Sequence, residues 1–317
     1  MKIVILDGFA VNPGDLSWDF LEKYGEVSVY AKTPDDECAE KCIGADVIYT
    51  NRARITAGLL DACPTVKYVS ALGTGFDMID LEACRSRGVA VVNIPAYSTA
   101  SVAQLTIQLL LALYSDLDGI RGVVSEGKWT GLPGYCYQNI MYTELESLTL
   151  GLIGCGGIGG RVAKIASAMG MRVLANTAHP HEDTESVKFV PLDRLLSESD
   201  VISLHCPLCD STRGLVNSDF IERMKPGARL INTARGAVID ERAVADALNS
   251  GRLGGAALDV LAVEPPRSDN PLLGAKNCII TPHIAWASRA ARRRLLAVVE
   301  ASLDNYVRTG VGLNRIV

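Results

Sequence analysis

The sequence predicts an α/β protein built on two doubly wound parallel sheets. Short runs of β-branched and apolar residues alternate with helical stretches along all 317 residues, a pattern typical of parallel strands joined by crossover helices. Most runs are apolar at every position, which indicates that helices cover both faces of each sheet. The runs number eleven, too many for one comfortable sheet, and a chain of this length accommodates about two domains at roughly 150 residues each.

A break near residues 94–96 separates five expected strands from the six that follow. The expected strands are residues 2–6, 27–30, 47–49, 68–71, 90–93, 149–153, 172–175, 201–204, 228–232, 256–258 and 278–281. Helical patterns include residues 35–43, 56–62, 98–114, 158–169, 241–250 and 288–309. The last helix follows the second group of strands and could pack back on the first group, which would make the first domain discontinuous.

The composition is that of an ordinary globular protein, with 48% apolar and 21% charged residues. Lys and Arg number 31 against 36 Asp and Glu, for a net charge of −5, and no basic run stands out beyond residues 292–294. Nucleic acid and acidic membrane surfaces are therefore poor partner candidates. The uncharged stretch 89–115 is purely apolar only over residues 109–113, far short of the roughly 20 residues that a membrane span needs.

The N-terminal residues and the cysteines favour a cytoplasmic protein. The first residues lack the long apolar core and small-residue cleavage site of a signal peptide. The nine cysteines are an odd number without framework spacing, which fits reduced thiols better than a disulfide scaffold. The C-x-x-C pair of Cys206 and Cys209 lacks the second pair of a zinc site, so no metal is expected.

A glycine-rich hexapeptide, residues 154–159 (GCGGIG), follows the strand expected at 149–153 and opens a helix. In that context Gly154 permits the tight turn, Gly156 lets a pyrophosphate approach the backbone, and Gly159 lets helix and strand pack closely. The helix N-terminus then presents N–H groups to the phosphates. The sequence therefore predicts a dinucleotide site of the Rossmann type rather than a structural turn.

The next strand of this unit ends without the acidic residue that commonly binds the ribose 2′-hydroxyl of NAD. The first carboxylate after residue 175 is Glu182, so nothing nearby repels a 2′-phosphate, and Asn176, Thr177 and His179 could hydrogen-bond to one. This favours NADP(H). Because no Arg is present there, the alternative that Asn176 and Thr177 bind the ribose of NAD stays open.

Three polar motifs follow expected strands at their carboxyl ends, where open α/β sheets bind ligands. They contain Arg235, Glu264 and His283. Arg235 could give a carboxylate or keto group a bidentate, permanently charged partner. His283 could donate a proton to a carbonyl oxygen as hydride reaches the carbon, with Glu264 holding its other ring nitrogen. Each residue alone has a structural explanation, but together they predict carbonyl reduction.

These motifs resemble the D-isomer-specific 2-hydroxyacid dehydrogenases, most sharply over residues 150–286. The resemblance implies that Arg235 orients the substrate, that Glu264 pairs with His283 and that His283 is the acid/base group. It also implies a set of cofactor contacts. The candidate cofactor-binding residues are Gly154, Gly156, Gly157, Ile158, Gly159, Asn176, Thr177, His205, Pro207, Thr212, Thr233, Ala234, Asp259 and His283.

The same resemblance extends to the N-terminal half, where residues 71–77 look like the family loop whose backbone N–H groups hold the substrate carboxylate. The candidate substrate-binding residues are Arg52, Leu72, Gly73, Thr74, Gly75, Arg235 and Trp286. The family fold implies a Rossmann cofactor domain, residues 98–287, inserted into a flavodoxin-like substrate domain, residues 1–97 plus 288–317. It also implies a homodimer joined through the helix after Ser98. Thr177 departs from the family, because many NAD-dependent members carry Asp there.

The segments 264–266 and 283–286 look most like the glycerate dehydrogenase/hydroxypyruvate reductase branch, which predicts a small 2-keto acid with a polar tail. Glyoxylate, D-lactate and phosphoglycerate chemistry remain alternatives. A further alternative is a dinucleotide-sensing binding protein, like the transcriptional corepressors that share this fold. No peptide-docking extension is evident in the sequence, which favours the enzyme.

Overall fold

A computed structural model describes residues 1–132, 134–137, 142–179 and 182–317 of the chain. Two compact units emerge from the packing of its Cα atoms. Unit 1 consists of Met1–Ser98 together with Trp286–Val317, and unit 2 consists of Thr99–Ala285. The assignment of unit 2 to the cofactor and of unit 1 to the substrate stays a prediction.

Unit 1 contains a five-stranded parallel sheet. Its strands are β1 (Lys2–Ile5), β2 (Glu26–Val29), β3 (Val47–Thr50), β4 (Tyr68–Ala71) and β5 (Ala90–Val92). They lie in the spatial order β2-β1-β3-β4-β5, and each neighbouring pair is parallel. This is the flavodoxin-like order, in which the switch point that binds ligands lies between β1 and β3.

Unit 2 contains a seven-stranded parallel sheet. Its strands are β6 (Thr149–Ile153), β7 (Arg172–Asn176), β8 (Lys188–Phe189), β9 (Val201–Leu204), β10 (Arg229–Asn232), β11 (Gly255–Leu258) and β12 (Cys278–Ile280). The spatial order is β12-β11-β10-β9-β6-β7-β8. Counted from β6, this is the Rossmann order 3-2-1-4-5-6 with one additional strand. The predicted fold class is confirmed, and the strand that the sequence did not indicate is the two-residue β8.

The helices lie between the strands and at the C-terminus. They are α1 (Gly8–Val11), α2 (Cys38–Lys41), α3 (Ala57–Ala62), α4 (Leu81–Ser86), α5 (Thr99–Tyr114), α6 (Leu117–Ser125), α7 (Gly157–Ala168), α8 (Leu192–Glu198), α9 (Ser218–Arg223), α10 (Glu241–Ser250) and α11 (Arg289–Thr309). The helix predicted over residues 35–43 is shortened to α2. Its first residues form a turn in which Glu37 N–H donates to Pro34 O, and Gly44 follows with a φ of +73°.

Apolar side chains cover both faces of each sheet. Successive strand residues contribute to two separate clusters in unit 1, as expected where side chains alternate between faces. On one face, Ile5 and Val47 pack with Leu295 and Leu303 of α11. The C-terminal helix therefore completes the core of the sheet formed by the N-terminal residues. Unit 2 has two clusters of its own.

Helices α5 and α6 differ in burial. Val102, Ala103 and Leu110 of α5 are buried in unit 2, whereas α6 has no fully buried residue. No single helix of the described residues is long and apolar enough to cross a membrane. The consecutive helices α5 and α6 reach that length and composition only together, and they are bent by 59° at their junction.

Candidate active site

The imidazole of His283 is paired with a carboxylate just beyond β12. Its Nδ1 lies 2.6 Å from Oε2 of Glu264, whose Oε1 accepts a hydrogen bond of 3.0 Å from Leu261 N. The two side chains are 29% and 19% exposed, so the pair is partly shielded from water while remaining open to a small ligand. Because Nδ1 contacts Glu264, the ring is fixed with Nε2 as the nitrogen that can exchange a proton with a substrate.

The buried carboxylate of Asp259, at the end of β11, supports the turn that carries His283. Its Oδ1 accepts from Thr281 Oγ1 at 2.6 Å and from Ile284 N at 3.0 Å, and its Oδ2 accepts from Ala285 N at 2.9 Å. His283 N donates to Asp259 O at 2.8 Å. These bonds hold His283 at a φ of +54°, a left-handed conformation that residues other than glycine rarely adopt.

Arg235 lies in the turn after β10. Buried Asn232 shapes this turn, because its Nδ2 donates to Arg235 O at 2.9 Å and its Oδ1 accepts from Ala234 N at 3.0 Å. The guanidinium donates to Ala234 O at 2.8 Å and pairs with no carboxylate among the described residues. Its positive charge is therefore available to an anionic or carbonyl ligand.

The turn at Gly236 packs directly against the segment that leads to Glu264. A Cβ at Gly236 would lie 1.9 Å from the carbonyl carbon of Leu261, so only glycine permits this approach. Strands β10, β11 and β12 are neighbours in the sheet. Arg235, Glu264 and His283 follow these three strands in turn. Because the carboxyl ends of parallel strands lie at the same edge of the sheet, the loops that carry the three residues lie at that edge.

Two glycines of the hexapeptide 154–159 are required by the protein's own packing. Gly154 has a φ of +91°, and a Cβ there would lie 2.7 Å from His205 O. A Cβ at Gly159 would lie 2.4 Å from Gly154 O. The tight turn and the close helix–strand packing that the sequence predicts are therefore present.

Gly156 is different, because a Cβ there would meet no atom within 4 Å. The protein's packing does not require glycine at this position, as expected where a ligand approaches the backbone. The N–H groups of Gly156, Gly157 and Ile158, at the start of α7, donate to no acceptor among the described residues. Free N–H groups at a helix N-terminus form a binding site for a phosphate group, so these residues fit a dinucleotide pyrophosphate.

The end of β7 presents fewer groups than the sequence suggests. Asn176 Nδ2 donates to Val190 O at 3.0 Å, which uses one of the two donors of its amide within the protein. Thr177 is half-buried and His179 is exposed. Residues 180 and 181, which precede Glu182, lie outside the described residues.

Several other predicted cofactor contacts have partners within the protein. Thr106 Oγ1 donates to Val102 O at 2.8 Å and lies 3.0 Å from Thr233 Oγ1, so Thr233 donates to Thr106. Thr212 Oγ1 donates to Pro207 O at 2.6 Å and closes the loop after His205. The cofactor contacts of Thr212, Thr233, Ala234, Pro207 and Asp259 stay predictions. Asp259 also holds the turn that carries His283.

The cysteines form no disulfide, and the described His, Cys, Asp and Glu side chains form no metal-binding cluster. All nine cysteines are free thiols, including Cys206 and Cys209. Within the described ranges, no group of three or more His, Cys, Asp or Glu side chains could hold a metal ion.

Unit 1 contains the residues predicted to bind the substrate carboxylate. Leu72 is fully buried, and its contact with a substrate stays a prediction. The N–H groups of Gly73, Thr74 and Gly75 donate to no acceptor among the described residues. Consecutive backbone N–H groups of this kind attract anions.

Arg52 and Trp286, the other predicted substrate contacts of unit 1, lie in different surroundings. Arg52 is exposed in the loop after β3. Trp286 is partly buried against the core, with its ring centroid 6.4 Å from that of Tyr97 in an edge-to-face arrangement. That Trp286 closes over a substrate stays a prediction.

A Rossmann sheet whose glycine turn fits a pyrophosphate, with an imidazole–carboxylate pair after another strand of the same sheet, is typical of dinucleotide-dependent dehydrogenases. Residues 107–285 match the family described as D-isomer specific 2-hydroxyacid dehydrogenase, NAD binding domain. The chain belongs to the D-isomer-specific 2-hydroxyacid dehydrogenase family. The family that the motifs predict is thereby confirmed, as is a nicotinamide cofactor.

Full-length relatives agree with this assignment. The chain is 44% identical over 313 residues, 97% of each chain, to a hydroxypyruvate reductase from Blautia hydrogenotrophica. It is 35% identical over 309 residues, 96% of each chain, to a glycerate dehydrogenase from Methylorubrum extorquens. Its structure is similar to the crystal structure of the TT0316 protein from Thermus thermophilus, with a TM-score of 0.88, 35% identity and 100% of both chains covered.

The environment of His205 makes a testable prediction about stability. Its Nε2 lies 2.9 Å from Ser203 Oγ, and burial beneath the glycine turn lowers the pKa of His205 to about 4. Since the unfolded chain binds a proton near pH 6.5, the free energy of unfolding should fall by roughly 3 kcal/mol from this residue as the pH drops from 6.5 to 4. His205→Gln should lose that part of the pH dependence in chemical denaturation experiments.

The matched control is His179→Gln, which replaces an exposed histidine of the same unit. This variant should keep the wild-type dependence of stability on pH. Identical slopes for wild type and His205→Gln would show that His205 is not held neutral by burial.

Proposed function

We propose that the protein reduces hydroxypyruvate to D-glycerate with a reduced nicotinamide dinucleotide, and catalyses the reverse oxidation. The observation that carries this proposal is the 2.6 Å pair of His283 Nδ1 and Glu264 Oε2. His283 follows β12, and β12 belongs to the same sheet as β6, whose following loop fits a pyrophosphate. A fixed imidazole beside a dinucleotide site is what a carbonyl reduction requires.

The glycine turn would hold the cofactor by donating the N–H groups of Gly156, Gly157 and Ile158 to its pyrophosphate. When bound, the reduced nicotinamide supplies the hydride that adds to the keto carbon. The protein's own residues then manage the negative charge that develops on the carbonyl oxygen. That charge would otherwise make the addition unfavourable.

His283 removes this charge by giving its Nε2 proton to the carbonyl oxygen, so that the keto acid becomes a 2-hydroxy acid. Glu264, through its contact with Nδ1, keeps the ring oriented so that Nε2 faces the substrate. Arg235, whose charge no described carboxylate neutralises, polarises the carbonyl and attracts the anionic substrate. In the reverse direction neutral His283 accepts the hydroxyl proton.

The substrate carboxylate is assigned to the loop of unit 1 that contains Gly73, Thr74 and Gly75. Their N–H groups lack acceptors among the described residues, and a carboxylate can accept from several such donors at once. Arg52 adds a positive charge in the neighbouring loop. Hydroxypyruvate is proposed over other 2-keto acids because relatives at 44% and 35% identity are a hydroxypyruvate reductase and a glycerate dehydrogenase.

Replacement of the proposed proton donor tests the mechanism. His283→Ala should lower kcat for hydroxypyruvate reduction by about 100- to 10,000-fold, the usual contribution of a general acid. The dissociation constant of the reduced dinucleotide, measured by fluorescence titration, should rise by less than about tenfold, because His283 is only one of the proposed cofactor contacts and the glycine turn stays intact. The exposed His179→Ala variant serves as the control for both measurements.

Reduction at the wild-type rate by this variant would exclude His283 as the proton donor. Dinucleotide binding without turnover of hydroxypyruvate, glyoxylate, pyruvate or phosphohydroxypyruvate by the wild type would favour the dinucleotide-sensing alternative.

For the cofactor, the proposal is a preference for NADP(H). No carboxylate lies between Asn176 at the end of β7 and Glu182, so a 2′-phosphate meets no like charge there. Thr177→Asp should lower kcat/KM with NADPH at least tenfold by charge repulsion and should raise it with NADH. Thr177→Asn, which is similar in size but neutral, should keep the wild-type order. A wild-type preference for NADH would overturn this part of the proposal.

We also propose that two copies associate through the α5–α6 region. Leu111, Leu117 and Val124 of these two consecutive helices are 43%, 73% and 56% exposed, and association between copies would remove such apolar side chains from water. Leu117→Asp should convert a dimer into a monomer in sedimentation experiments at about 10 μM protein. Val307→Asp, which changes an exposed apolar residue of α11, should remain dimeric. A monomeric wild type would contradict the proposal.

A further inference from the structure

Asp7 is a buried carboxylate that the proposed mechanism does not use. It follows β1 and is 6% exposed. Its Oδ2 accepts hydrogen bonds from three consecutive backbone N–H groups, those of Asn51 at 3.2 Å, Arg52 at 2.8 Å and Ala53 at 2.7 Å. Because β1 and β3 are neighbours at the switch point of the sheet, one carboxylate fixes the conformation of the entire loop 50–53.

Loop 50–53 is in turn bonded to the loop proposed to bind the substrate carboxylate. Asn51 Nδ2 donates to Leu72 O at 2.8 Å, and Leu72 N donates to Thr50 O at 2.7 Å. The conformation that Asp7 imposes after β3 is therefore transmitted to the residues after β4.

The two following carbonyl groups of that loop are also held by unit 1. Gly73 O accepts from Ile94 N at 2.9 Å, and Thr74 O accepts from Asn93 Nδ2 at 2.8 Å. In a trans peptide the C=O and N–H groups point in opposite directions. Binding the carbonyl groups of residues 72, 73 and 74 therefore turns the N–H groups of residues 73, 74 and 75 the other way. There they form a row of three donors without an acceptor in the described part of the chain.

We propose that Asp7 is a positioning residue for the recognition of the substrate carboxylate and that it acts through loop 50–53 and Asn51. The inference rests on the proposed function, since it assumes that the donors of residues 73–75 bind a 2-keto acid. Asp7 itself touches no substrate atom in this account. Its contribution is to keep the exposed Arg52 and the row of donors in one conformation.

The charge of Asp7 makes this proposal sharply testable. Asp7→Asn removes a negative charge close to an anion site, so an effect of charge alone would lower KM for a 2-keto acid. A positioning effect has the opposite sign, because an amide is a weaker acceptor for three N–H groups than a carboxylate and brings a donor of its own. The direction in which KM changes therefore distinguishes the two.

The experiment is steady-state kinetics of Asp7→Asn with hydroxypyruvate and saturating reduced dinucleotide. KM for hydroxypyruvate should rise about tenfold, while kcat and KM for the dinucleotide stay within about threefold, as expected when only substrate binding is weakened. Combined with Arg52→Ala, the losses should be less than additive, because both substitutions act on one loop.

Asp46→Asn is the matched control. Asp46 is a half-buried carboxylate of the same unit whose Oδ2 accepts from Lys2 N at 2.7 Å, before β3 rather than after it. It should lower the thermal midpoint without changing KM. Asn51→Ser, which removes only the bond to Leu72 O, provides a milder second variant and should raise KM at least threefold even if Asp7→Asn does not fold.

An unchanged or lowered KM in Asp7→Asn, or in Asn51→Ser where the first variant does not fold, would overturn the positioning role while leaving the proposed function in place. A wild-type enzyme that turns over no 2-keto acid would instead overturn the proposed function, and this inference with it.

Discussion

At the edge of each parallel sheet, a buried carboxylate holds the loop after a neighbouring strand by accepting hydrogen bonds from its backbone N–H groups. In unit 2, Asp259 after β11 binds the turn after β12 and holds His283 at a positive φ. In unit 1, Asp7 after β1 binds the loop after β3. Loops have no ladder of their own to satisfy their N–H groups, so an adjacent charged acceptor is an effective way to give them one conformation.

This arrangement also explains how a chain with a net charge of −5 can bind anions. Attraction is local and comes from oriented dipoles rather than net charge. The N–H groups of residues 156–158 and of residues 73–75 lack acceptors within the described part of the chain, and Arg235 lacks a carboxylate there. The carboxylates Asp7, Asp259 and Glu264 are meanwhile engaged by donors of the protein, which reduces their repulsion of an anionic ligand.

The sequence was sufficient for the fold class and the catalytic candidates because both leave a pattern. Apolar runs predict the strands, and the glycine turn, Arg235, Glu264 and His283 stand at strand ends. Asp7 left no such signal: its donors are backbone N–H groups 44 to 46 residues away, which no residue type reveals. For the same reason the sequence suggested a cofactor contact for Asp259 but not its support of the turn. Strand β8, with two residues, is too short for any periodicity.

The proposed contacts involve only the part of the substrate that all 2-keto acids share, and not the substituent that differs among them. The donors of residues 73–75, Arg235 and His283 would act on the carboxylate and the carbonyl, which every 2-keto acid possesses. None of them distinguishes the hydroxymethyl group of hydroxypyruvate from the hydrogen of glyoxylate or the methyl group of pyruvate. Selectivity among these acids must therefore come from side chains that face this substituent. One added methylene or hydroxyl changes binding only modestly there, unless the wrong substrate leaves a buried polar group of the protein without a hydrogen-bond partner. Such side chains can change without altering the loops that the buried carboxylates hold in place.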